Sequence, residues 1–119
     1  MKRGCRLLAM LCAAILLVGT VPVYADTGIS GKRTLTYIRG KFQYGVPGNQ
    51  LMVKLIFTEK HTQTGQVYSS NCSATSNGAN TEVSKSRTVD LGYNYTDLDI
   101  YAYLNGAFYD DLLDLPLES

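Results

Sequence analysis

The stretch Gln50 to Lys60, QLMVKLIFTEK, constrains this chain more than any other, because Leu51, Val53, Leu55 and Phe57 alternate with Met52, Lys54, Ile56 and Thr58. A period of two puts one set on each side of an extended strand, where a helix would mix them. A strand with one apolar face needs a sheet and a second layer to cover it. The same pattern recurs in DLDIYAYLN, where Leu98, Ile100, Ala102 and Leu104 alternate with Asp99, Tyr101, Tyr103 and Asn105. Around these runs, RTLTYIRGKFQY, GQVYSSNCSAT and TEVSKSRTVDL are rich in Thr, Tyr and Val and suit strands. In the first of them the apolar phase switches between Tyr37 and Ile38, which predicts a bulge near Gly40.

The punctuation agrees with strands. Val46-Pro47-Gly48-Asn49 has Pro and Gly where a type II turn wants them, and Asn77-Gly78 and Asn105-Gly106 are hairpin dipeptides. The expected fold is all-β, a small antiparallel β-sandwich, with a small barrel as the alternative. The C-terminal AFYDDLLDLPL stays open, since Phe108, Leu112 and Leu115 fit a short helix as well as an edge strand.

The chain begins differently. Lys2, Arg3 and Arg6 precede an apolar run from Leu7 to Val18, and Val23-Tyr24-Ala25 follows, the order of a secretory signal peptide. The run is shorter than the roughly 20 residues that span a bilayer. Residues 1–25 are therefore expected to be removed, leaving a single domain over 26–119 and a secreted protein, with a Gram-positive bacterium as the expected source. This product keeps eight Lys/Arg and ten Asp/Glu, a net charge of −2. Such a charge gives no field for nucleic acid, and no second apolar run provides for stable membrane insertion.

Charge is uneven along the chain. From Asp26 to His61 there are six bases and two acids, and from Asp90 to Ser119 seven acids and no base. The simplest expectation is that the terminal segments pair as neighbouring strands and neutralise each other; the sharper one is self-association through opposite-charged ends.

Few residues offer chemistry. His61 is the sole histidine and Cys72 the one cysteine left after residue 25. They would need to touch to act as nucleophile and base, and two ligands fall short of the roughly four of a structural zinc site. Asp110, Asp111 and Asp114 lack the spaced pattern of a calcium loop, and Asp97 with Asp99 is a paired-carboxylate candidate for glycoside hydrolysis, on what reads as a solvent face. The reading is of a protein that is not an enzyme, with no catalytic residue, metal or cofactor.

Tyrosine is enriched. On the outward face Tyr101 and Tyr103, with Tyr93 and Tyr95 nearby, form the candidate ligand-binding platform, suited to an extracellular protein or glycan. Tyrosine is also simply a good strand residue, and both readings stand. Asn71-Cys72-Ser73 and Asn94-Tyr95-Thr96 match the N-glycosylation sequon.

Three patches in order, GKFQYGV (40–46), NCSATSNG (71–78) and NGAFYDD (105–111), resemble landmarks of the lactococcin-type family of small secreted bacteriocins. Family members usually carry tryptophan, including where Phe42 stands here, and His where Asn71 and Cys72 stand. The resemblance implies a compact β-sandwich acting on the envelope of related bacteria. The expected function is thus non-covalent binding to an extracellular or cell-envelope target, with a bacteriocin-like activity or a structural subunit of an extracellular assembly as alternatives.

Overall fold

In a computed structural model, which describes residues 27–118, the chain forms seven strands: β1 (Gly28–Arg33), β2 (Tyr37–Gln43), β3 (Gln50–His61), β4 (Val67–Asn77), β5 (Glu82–Thr88), β6 (Tyr93–Leu104) and β7 (Ala107–Leu112). The signal peptide expected over 1–25 lies outside the described residues. Two antiparallel sheets result, one in the order β1-β2-β5 and one in the order β4-β3-β6-β7. β1 packs over β6 and β7, β2 over β3 and β6, and β5 over β3 and β4, a sandwich. Among the described residues no helix is long and apolar enough to cross a membrane.

The alternating runs form the centre of the larger sheet. Leu51, Val53, Leu55 and Phe57 of β3 and Leu98, Ile100 and Ala102 of β6 are all buried, facing Ile38, Phe42 and Val83 of the other sheet. Burying each larger side chain among them stabilises the fold by roughly 1.5–3 kcal/mol. The C-terminal stretch settles as an edge strand, β7, with no helix. Beyond it Leu115 re-enters the core, held where Arg33 Nε donates to the Leu115 carbonyl at 3.0 Å.

Three expectations are corrected. No bulge occurs at Gly40, whose register with β1 and β5 is unbroken. Gly40 instead allows close approach of the sheets, since a Cβ there would lie 2.7 Å from the Leu55 Cδ1 atom. Asn77-Gly78 is not a hairpin, because β4 and β5 belong to different sheets; Gly78, at φ 89°, turns the chain across the sandwich. The terminal segments do pair as neighbouring strands, β3 with β6, but the neutralisation expected of them is not made by ion pairs: β1 and β7 sit in opposite sheets, and no ion pair among the described residues joins the basic segment to the acidic one. Asn105-Gly106 is the expected hairpin, both residues at positive φ, as a type I′ turn requires.

Two real bulges lie elsewhere, and both shape the outer face of the larger sheet. Thr58 pairs with Asp97 but Glu59 pairs with Tyr95, which leaves Thr96 as an extra residue in β6. Its hydroxyl lies 2.7 Å from that of Thr58. Ala102 pairs with Asp110 but Tyr103 with Phe108, which leaves Tyr109 as an extra residue in β7. An extra residue reverses which face every later side chain takes.

Candidate functional site

The outward positions of β6 and β7 bring three rings together. Phe108 lies opposite Tyr103 in register, with ring centroids 6.2 Å apart at 79°, and reaches Tyr101 at 6.5 Å and 58°. Phe108 is 58% exposed, although it is apolar. It faces outward because of the bulge at Tyr109, whose own ring turns in against Phe42 and Tyr44, with centroids at 5.3 and 5.7 Å. Met52 and Lys54 of β3 stand opposite Tyr103 and Tyr101 and extend the same face. Period-two reading missed Phe108, because the parity of β7 cannot be carried through an unseen bulge.

Carboxylates border the rings. Asp111 stands opposite Tyr101 across the ladder. Desolvation, then the carboxylates of Asp99 and Asp111, raise the Tyr101 phenol above its ordinary value, so it remains a hydrogen-bond donor. Asp97, Asp99 and Asp114 bring their carboxylate oxygens within 4.8 Å of one another, and the Asp114 amide donates to Asp99 Oδ1 at 2.8 Å. With one oxygen each they offer three donors to a hard cation, against the roughly six to eight that calcium takes.

The four-tyrosine platform does not form as one surface. Tyr95 is fully buried, a core residue, because the bulge at Thr96 turns it inward. Its ring meets Phe57 edge-on at 5.5 Å and 89°. Its hydroxyl accepts a 2.8 Å hydrogen bond from Arg87 Nη1, which also donates to Glu59 Oε1 at 3.1 Å. Burial raises the Tyr95 phenol pKa, and the neighbouring Arg87 only partly offsets it. The Arg87 guanidinium, from the smaller sheet, also covers the Phe57 ring at 5.1 Å, so this group pins one sheet to the other. One signal for it was legible: Glu59 continues the inward parity of Leu51 to Phe57.

Tyr93 shares that inward phase at the far end of β6. It meets His61 at 4.9 Å and 89° and Tyr68 at 6.0 Å, and with Glu59, Tyr68 and Asp90 lines a shallow pocket of about 170 Å³. Eight residues along one strand separate it from Tyr101, about 26 Å. Of the predicted residues, Tyr101 and Tyr103 stand together on the outer face, Tyr93 lies apart from them, and Tyr95 is removed from the surface.

His61 and Cys72 are not brought together. Cys72 stands opposite Leu55, six residues along β3 from His61, about 20 Å away. His61 Nδ1 accepts the backbone amides of Gln63 and Thr64, each at 3.2 Å, and so caps the β3–β4 turn. Burial pushes the Cys72 thiol up, against the partial pull of Lys85 and Arg87, which disfavours the thiolate.

No protein-family model matches the chain, and no curated protein or solved structure matches it significantly.

Proposed function

We propose that this protein is a secreted binding module that engages an extracellular or cell-envelope target, protein or glycan, through Tyr101, Tyr103 and Phe108 without catalysing a reaction. One observation carries the reading: Phe108 leaves more than half of its surface exposed while lying against two half-buried tyrosines. Rings held this way on a rigid sheet offer apolar area at low entropic cost, and the phenols add hydrogen bonding. The bordering Asp99 and Asp111 favour targets that present amines or hydroxyl donors over acidic ones.

The reading is tested by sedimenting the protein with isolated Gram-positive cell envelopes. Wild type co-sediments, and a Tyr101→Ala, Tyr103→Ala, Phe108→Ala triple variant loses at least about tenfold in affinity, the equivalent of one hot-spot residue. Unchanged binding by the folded triple variant would remove this face as the site. A bacteriocin-like activity is the second reading, favoured because the third patch of the lactococcin-type resemblance, residues 105–111, supplies Phe108. Growth inhibition of related bacteria, lost in the same variant, separates it from binding alone.

A further inference from the structure

The sandwich has four edge strands, and three of them carry charges that oppose a further strand. β1 carries Lys32 and Arg33, with Arg33 already bridged to Leu117. β7 carries Asp110 and Asp111, and β5 carries Glu82, Lys85 and Arg87. Charged side chains and local cover are how sheet edges avoid pairing with other chains. β4, Val67–Asn77, has neither. It is eleven residues long, VYSSNCSATSN, with no charge and no proline, and its ladder with β3 runs without a register shift. Among the described strands only β3 pairs with it, so alternate N–H and C=O groups on its other side point outward.

We infer that a second copy of this chain adds to this edge, β4 against β4 in antiparallel fashion about a two-fold axis, joining two four-stranded sheets into one of eight. The absence of charge makes β4 the edge that can meet its own copy without repulsion. On a two-fold axis a strand meets itself, so the Asp110 and Asp111 of a β7 edge would meet their own like charges, while β4 brings none. The register with the most rungs centres on Cys72, the middle residue of the strand. It sets Asn71 against Ser73 of the second copy and Cys72 against its own counterpart. Opposed Cα atoms in such a ladder lie about 4.5–5.5 Å apart, inside the roughly 4.4–6.8 Å range that a disulfide bridges. The association is independent of what the aromatic face binds.

The test uses the full-length chain, expressed with its leader and purified as it accumulates, with its mass measured by analytical ultracentrifugation over a range of concentrations in reductant. A dimer is expected. Diamide, which takes up the two protons and two electrons released as two thiols join, is expected to link the copies through Cys72. A double variant, Asn71→Glu with Ser73→Glu, should raise the dissociation constant about tenfold or more, by setting carboxylates against carboxylates across the axis. Within one chain the same variant places a glutamate opposite Lys54, so its thermal unfolding, compared at concentrations dilute enough for wild type to be monomeric, should not fall. A monomer at every concentration would overturn the inference. So would a dimer that forms no Cys72 link and ignores the double variant, since that dimer uses another surface.

Discussion

The two ends of β6 carry the same residue in the same spacing and use it in opposite ways. At one end Tyr101 and Tyr103 alternate outward beside Phe108. At the other Tyr93 and Tyr95 alternate inward, Tyr95 fully buried against Phe57 and bound to Arg87. The cause is Thr96, the one residue that β3 does not pair. A single bulge thus divides the tyrosines into a structural pair and a surface pair, and tyrosine itself, half apolar and half polar, serves either role.

Tyr95→Ala should break the comparison most severely, with a loss, read by urea denaturation, of about 3–5 kcal/mol from the cavity it leaves. Alanine at Tyr103 should cost only a small part of that, and comparable losses at Tyr95 and Tyr103 would mean the two ends do not differ.

Arg87→Ala sharpens the structural end. It removes the partner of Glu59, whose side chain is 13% exposed, and should cost about 2 kcal/mol, less than for a fully buried pair because Arg87 itself is 31% exposed. A pH series gives the smallest effect. The Tyr95 phenol is held above its ordinary value of 10.0, so the folded chain keeps that proton where the unfolded chain loses it. Its contribution is complete below about pH 10 and is lost as the pH rises through the higher folded value. Tyr95→Phe should flatten this alkaline decline, and Tyr103→Phe should not.

Much of the fold was legible because alternation survives translation into structure: the inward sets read for β3 and for β6 after Asp97 are the buried ones, apart from a half-buried Leu104. β1 was not, since GISGKR has a glycine where a strand normally carries a side chain; a Cβ on Gly31 would collide with Ile100 and Leu115. The candidate site was half legible. Tyr101 and Tyr103 lie on the uninterrupted part of the alternation, while Tyr93, Tyr95 and Phe108 lie beyond bulges. A bulge is a relation between two strands, and no pattern within one strand reveals it. Glu59 was the exception, a polar residue on an apolar parity that pointed to a buried partner.

The most direct measurement is nitration of the folded protein with tetranitromethane, with each tyrosine followed by peptide mass spectrometry. The predicted result is modification of Tyr101 and Tyr103 in the folded chain, with Tyr95 unreactive until the protein is denatured. Nitration of Tyr95 as fast as Tyr103 would contradict the division of β6 into an inner and an outer half, and with it the outer aromatic face as described.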